Sequence, residues 1–230
     1  MALQVIFDKL LDFPVFQGLG KNELETMVGK TRFDFHKYPA RKKIVQAGKP
    51  CDKLYFLLSG KIEAKRESAD HGYTITEELT APILQQSEAM FGHTQRFTHT
   101  ITALTDVGIM TVDKNEVLKF LKRFPVVRLN MVSRYASEIQ RLSQLLWKHQ
   151  SDDLTQRFVD FIAMRCMKIS GRKTVKIKMT QLEHELNDTR QNVSDVLNEL
   201  AQKHLIELHR GYFVVPAMEI LVNRDAIRLE

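Results

Sequence analysis

Between about Phe33 and Asp113 the apolar positions gather in the short runs KKIVQAGKPC, DKLYFLLSGKIEAKRE, YTITEELT and HTITALTDVGIMTVD, which are rich in Val, Ile, Tyr, Phe and Thr. Short β-branched and aromatic runs bounded by turn residues predict β-strands. Gly48-Lys49-Pro50, Ser59-Gly60 and His71-Gly72 punctuate them as turns. Short strands so divided predict a barrel or a sandwich. Helical patterns flank this β region on both sides.

The period changes after Pro125. The stretch VVRLNMVSRYASEIQRLSQLLWKHQ runs for 25 residues without glycine or proline. Leu129, Val132, Ala136, Ile139, Ser143 and Leu146 recur at alternating steps of three and four, with Leu142 widening the face. That spacing is the seam of a coiled coil, and a helix buried within one domain would share it. The dimer seam is the preferred expectation. A boundary near Gln150-Ser151-Asp152 then divides the chain into a β domain over 1–124, a connector helix over 125–150 and a C-terminal domain over 151–230.

The C-terminal part reads as a helix (DDLTQRFVDFIAMRCMKI), the turn SGRK, an alternating run TVKIKM, two short helices, and two strands in HLIELHRGYFVVP around His209-Arg210-Gly211. Thr180 is expected to cap the first short helix, with Glu183 completing a capping box and Leu182 and Leu186 facing inward. Asn187-Asp188 makes a turn in which Asn substitutes for glycine at positive φ, and Thr189 caps the second helix. There Val193, Val196, Leu197 and Leu200 form the inner stripe, which turns Arg190, Gln191, Ser194, Asp195 and Asn198 outward. Two helices with a tight turn and then a hairpin make a winged helix-turn-helix.

The outward face suits the DNA major groove. Arg donates twice to guanine, Gln or Asn pairs with adenine, and Ser serves either, each good pair discriminating by roughly 1–3 kcal/mol. The acid-free run with Arg165, Lys168, Arg172, Lys173, Lys176 and Lys178, together with Arg210 of the hairpin, is expected to hold phosphates, which position without reading sequence. Asp195 opposes this, since it repels phosphate. A helix-turn-helix docked on another protein is the alternative.

The overall charge of +6 agrees with a polyanionic partner, yet residues 151–230 hold 12 basic and 12 acidic residues, so the surplus lies in the first 150. No run of eighteen apolar residues exists, and the start MALQVIFDKLLDF carries acids and a lysine where a signal peptide would be apolar. A cytoplasmic protein without membrane contact is expected. Cys51 and Cys166 are too few for an iron–sulfur cluster or a cysteine-built zinc site, and no metal is expected; eight histidines leave haem sensing open, with His93 and His99 read as ordinary polar residues. No nucleophile elbow, zinc-protease motif or P-loop occurs, and GLG at Gly18–Gly20 follows no strand, so no enzyme is expected.

Taken together, IVQAGKPCDKLYFLLSGKIEA with Gly48 and Gly60 at its turns, DDLTQRFVDFI with Asp153 and Arg157, and TRQNVSDVLNELAQKHLI resemble the superfamily of the cyclic-AMP receptor protein and the fumarate–nitrate reduction regulator. The resemblance runs nearly end to end. It implies an α+β chain: an N-terminal cyclic-nucleotide-binding-like β-roll (jelly roll), a long dimerisation helix and a C-terminal winged helix-turn-helix. It also implies a homodimer on a palindromic site in double-stranded DNA, with RNA polymerase and an unidentified small-molecule effector as further partners. The family's recognition positions fall on Thr189, Arg190, Gln191 and Asp195. The spacing-derived seam Leu129, Val132, Ala136, Ile139, Leu142 and Leu146 lies on the stretch that the resemblance makes the dimerisation helix. Members that bind cyclic nucleotide carry Gly-Glu at a short helix and Arg-Ser or Arg-Thr about ten residues later; here Gln86-Ser87 and Phe97-Thr98 stand there. Glu88 and Arg96 lie one place out of register and, with Thr98 and Ser143, form the effector pocket that the resemblance implies. An effector other than cyclic AMP is expected.

Overall fold

The computed structural model describes residues 9–147, 149 and 151–224. A short turn of helix, Pro14–Phe16, precedes α1 (Lys21–Lys30), and the alternating runs become β1 (Asp34–Tyr38), β2 (Lys43–Val45), β3 (Lys53–Ser59), β4 (Lys61–Glu67), β5 (Tyr73–Thr80) and β6 (Ile83–Gln85). Then follow α2 (Glu88–Phe91), β7 (Thr100–Ala103), β8 (Val107–Asp113), α3 (Lys114–Arg123) and α4 (Pro125–Trp147). The remainder is α5 (Leu154–Ala163), β9 (Lys173–Ile177), α6 (Met179–Leu186), α7 (Arg190–Gln202), β10 (Glu207–His209), β11 (Tyr212–Val215) and α8 (Met218–Val222). This is a mixed α+β chain with an antiparallel jelly roll.

Internal packing divides it into two units, Met1–Ile62 with Leu79–Arg141, and Glu63–Glu78 with Leu142–Glu230. The outer part of the β4–β5 hairpin therefore packs with the C-terminal elements, although its sequence lies within residues 1–124. In the first unit β1, β8, β3 and β6 form one antiparallel sheet in that order. Phe56 of β3 anchors the core: the ring of Phe13 meets it edge-on at 5.1 Å and that of Phe16 stacks at 5.4 Å. Phe120 of α3 closes the cluster against Phe16. Gly60 shows why a turn glycine is required: its φ is +87°, and a Cβ there would lie 2.4 Å from the Asp106 carbonyl oxygen.

Helix α4 begins on Pro125, whose missing N–H costs nothing in the first turn. Its inner face buries Val127 and Met131, and Asn130 donates to the carbonyls of Val15 and Gln17 at 3.2 and 2.8 Å. Leu129, Val132, Ile139, Leu142 and Leu146 remain exposed, Ile139 to 66%, and Ala136 is exposed beside them. Within one chain the three-and-four seam is thus not a buried inner face.

In the second unit the strand order is β10, β11, β9, β5. Phe158 and Ile162 of α5, Val175 of β9, Leu182 and Leu186 of α6, Val193, Leu197 and Leu200 of α7 and Phe213 of β11 share one core. Each such side chain contributes about 1.5–3 kcal/mol by leaving water. Asp153 caps α5 by accepting from the Thr155 N–H at 2.9 Å. The first helix of the pair differs from expectation: its N-cap is Lys178, and the Gln181 and Leu182 amides bond to the Lys178 carbonyl. Thr180 therefore lies inside the first turn and cannot cap it. Asn187 adopts the left-handed conformation, φ 48° and ψ 55°, and Thr189 caps α7 by accepting from the Asn192 N–H at 3.3 Å. His209 pairs with Tyr212 around the two-residue turn Arg210-Gly211, completing the wing.

Candidate nucleic-acid interface and sensor site

The recognition turn is braced from three sides. Arg157 of α5 forms an ion pair with Asp188 and donates to the Asn187 carbonyl at 3.4 Å. The other carboxylate oxygen of Asp188 accepts from Asn192 Nδ2 at 2.7 Å and from the Thr189 N–H at 2.8 Å. These bonds, that of Asn192 first, hold the Asp188 carboxyl below its ordinary pKa. With the apolar stripe of α7 buried, Thr189, Arg190, Gln191, Asp195 and Asn198 are exposed and Ser194 is half-buried. Gln191 Nε2 donates to Asp195 Oδ1 at 2.9 Å, so pairing with adenine requires exchanging that bond. The acid that would repel phosphate is thereby tied to a neighbouring amide.

The basic run separates into two groups. Lys176 on β9, Lys178 before α6 and Arg210 at the wing turn are exposed. Arg172 lies 3.5 Å from both Glu78 and Glu207. Lys173 corrects the expectation that it holds phosphate: it is fully buried, its Nζ 2.8 Å from Glu77 Oε2 and 2.8 Å from the Ser170 carbonyl. Strand parity explains this, because Lys173 shares the inner face of β9 with Val175 and Ile177. That parity was present in TVKIKM, whereas Glu77 lies 96 residues away and gives no local signal. Arg165 is likewise engaged, donating to the Tyr73 hydroxyl at 2.6 Å and to Glu185 at 2.8 Å.

In the first unit, the positions that would hold a cyclic phosphate are built otherwise. Gln86 is buried in the left-handed region at φ 42°. Its Oε1 accepts from the Thr98 N–H at 2.8 Å, the Thr98 hydroxyl at 3.2 Å and the His99 N–H at 2.8 Å, while its Nε2 donates to the His99 carbonyl at 3.1 Å. One carboxamide thus clasps the segment across twelve residues. Phe97 is buried, its ring edge-on to Tyr55 at 5.7 Å. Arg96 donates to the Gly48 carbonyl at 2.7 Å and braces that turn, and Glu88 opens α2 on the exposed side. Thr98 is held by Gln86, and Ser143 is exposed on the part of α4 belonging to the second unit.

A neutral polar group beside this clasp carries no local signal in the sequence. Both side-chain polar atoms of Gln85 and the Ser87 hydroxyl are buried without a hydrogen-bond partner, as is the Tyr135 hydroxyl of α4. Burial raises the Tyr135 pKa, and the neighbouring Ser87 hydroxyl pulls it the other way. A buried phosphate requires opposite charge and N–H donors, and a buried Phe97 at the arginine position does not fit it. Cys51 and Cys166 are buried and share no disulfide, and desolvation, then Glu88 and Asp52, pushes the Cys51 thiol up to about 11. Among the described residues no group of three or more His, Cys, Asp or Glu side chains could hold a metal ion.

Residues 35–124 match the family described as Cyclic nucleotide-binding domain. The chain is 24% identical to the Global nitrogen regulator of a Nostoc species over 77% of its own length and 83% of that protein's. It is 21% identical to the cAMP-activated global transcriptional regulator CRP of Pasteurella multocida, covering 78% of this chain and 88% of that one. Among solved structures, the Catabolite Activator Protein of Thermus thermophilus superposes with a TM-score of 0.51 at 20% identity, covering 95% of this chain and all of that one. Among the described residues no helix is long and apolar enough to cross a membrane.

Proposed function

We propose that this chain, whose sequence and structure neighbours are transcription regulators of the Crp/Fnr type, is a DNA-binding regulator that reads a two-fold-related site as a homodimer and responds to an effector other than cyclic AMP. The observation that carries the reading is the braced turn 187–189, which presents Arg190, Gln191 and Asn198 on the open face of α7 behind a wing bearing Arg210. Lys176, Lys178 and Arg210 supply phosphate contacts. The exposed stripe Leu129, Val132, Ala136, Ile139, Leu142 and Leu146 supplies the dimer seam, since an apolar face of this length on a helix calls for a second helix. In the β-roll the neutral atoms of Gln85, Ser87 and Tyr135 support an uncharged polar effector. No catalytic step belongs to this reading.

The test is the affinity for a mixed-sequence duplex measured across salt. Three phosphate contacts per protomer, six per dimer, release enough counterions to weaken binding roughly 10³-fold between 50 and 200 mM salt. Replacing Lys176, Lys178 and Arg210 by Gln should flatten that slope. A salt-independent affinity in the unaltered protein would instead make the winged helix a protein-docking module.

A further inference from the structure

The strand that completes the wing sheet does not come from the C-terminal third of the chain. It is β5, antiparallel to β9 with Tyr73 opposite Ile177, Ile75 opposite Val175 and Glu77 opposite Lys173. Ile75 is buried in the same core as Phe158, Val175 and Leu182. Glu77 is 1% exposed and Lys173 0%, and the Glu77 carboxylate also accepts from the Met167 and Lys168 N–H groups at 2.7 and 3.3 Å. Charges at such depth persist only when paired and fully bonded, and removing one partner strands the other in a medium that cannot solvate it. Farther along the hairpin, Tyr73 accepts from Arg165, which also holds Glu185 of α6, and Gln181 of α6 donates to Glu185 at 3.0 Å. The hairpin thus grips the first helix of the helix-turn-helix. The seam is not densely filled, for a cavity of about 300 Å³ lined by Arg66, Ser68, Tyr73 and Met164 opens along it. One ladder, the apolar contact of Ile75 and the buried Glu77–Lys173 pair hold the seam beside that cavity, so they separate together or not at all.

We propose that the outer β4–β5 hairpin is a detachable latch: docked through the Glu77–Lys173 pair it completes the reading unit, and its release is the step through which the β-roll alters DNA binding. Strands β4 and β5 run without a break from the first unit into the second, so a strain in the β-roll has a covalent route to the wing sheet. The regulatory part rests on the DNA-binding reading given above; the strand addition does not.

The experiment compares the full-length protein with E77Q, K173M combined with E77Q, and the milder Y73F, by hydrogen exchange and by affinity for mixed-sequence duplex. E77Q keeps an acceptor for the Met167 amide but leaves the Lys173 ammonium without a counter-charge. Exchange in residues 73–77 and 173–177 should rise tenfold or more while residues 53–59 of the β-roll stay unchanged. DNA affinity should shift at least fivefold, and K173M in the double variant should return both toward the parent. Y73F should produce a two- to threefold rise in the same segments, which keeps the test valid where E77Q does not fold. Unchanged exchange in both E77Q and Y73F would overturn the latch. Faster exchange with unaltered DNA affinity would overturn its regulatory role. If the parent bound no DNA while exchange responded, the strand addition would stand and the DNA-binding reading would fall.

Discussion

The two units treat their polar residues in opposite ways. In the winged helix, internal bonds go to the turn beneath the reading face: Arg157, Asp188 and Asn192 fix one another, and Arg190 and Asn198 are left at the surface. In the β-roll, the residues at the position of a ligand are themselves the filling: Gln86 is spent on Thr98 and His99, and Phe97 occupies the core. Polar side chains are thus left at the surface in one unit and consumed internally in the other, and likeness of fold by itself assigns a function to neither.

The largest expected effect breaks the output side. Ile139→Asp places a charge in the apolar seam, and the sedimentation coefficient should fall to that of one chain. Loss of the second reading head should weaken binding to a symmetric duplex by roughly 10²–10⁴-fold, and an unchanged sedimentation coefficient would contradict the seam.

Next comes the clasp. Gln86→Ala removes the carboxamide that bonds the Thr98 N–H and the buried His99 N–H and carbonyl, which should cost about 2–3 kcal/mol in the β-roll's unfolding transition, with the winged helix's transition unmoved. A loss below ~0.5 kcal/mol would mean that water or relaxation replaces the carboxamide.

Smaller again is Arg190→Ala, expected to remove about 1–2 kcal/mol of discrimination at one base pair per half-site. Equal weakening across all sequences, seen in a panel of single-base variants, would make Arg190 a phosphate contact instead.

The smallest effect is a pH dependence. Asp188 has its folded pKa below the ordinary carboxylate value of about 3.9, so its stabilisation of the turn is complete above that value and fades as pH falls through the depressed one. Amide protection in residues 188–193 should hold at neutral pH and be lost only below about pH 4. Asp188→Asn should weaken that protection at neutral pH and remove its acid dependence; an acid profile identical to the parent's would assign the turn to other groups.

Much of this was legible in the sequence where local chemistry decides the outcome. Enrichment in β-branched and aromatic residues between turn signals marked β3, β4, β5 and β8, Gly48 and Gly60 marked turns of positive φ, and Asn187 and Thr189 announced the turn and the cap of α7. What escaped depends on partners distant along the chain. Thr180 and Glu183 have the spacing of a capping box, but the helix starts two positions earlier because the Lys178 carbonyl takes the first bonds. Lys173 reads as one more cation in a basic run until Glu77 is set opposite it. Gln86 carries no mark at all, since a buried non-glycine residue at positive φ is stabilised by bonds to Thr98 and His99 that only the folded roll brings near. The hairpin 63–78 joins the second unit for the same reason, through a ladder whose partners Ile75 and Val175 stand 100 residues apart in sequence, so contiguous domains in sequence are not contiguous in packing.

If the chain reads DNA as a symmetric dimer without cyclic AMP, selection from a random duplex pool by the full-length protein, run with and without cyclic AMP, should recover one two-fold-symmetric motif in both conditions equally, its half-sites about one helical turn apart, roughly 34 Å. An asymmetric motif, or enrichment only when cyclic AMP is present, would contradict that reading.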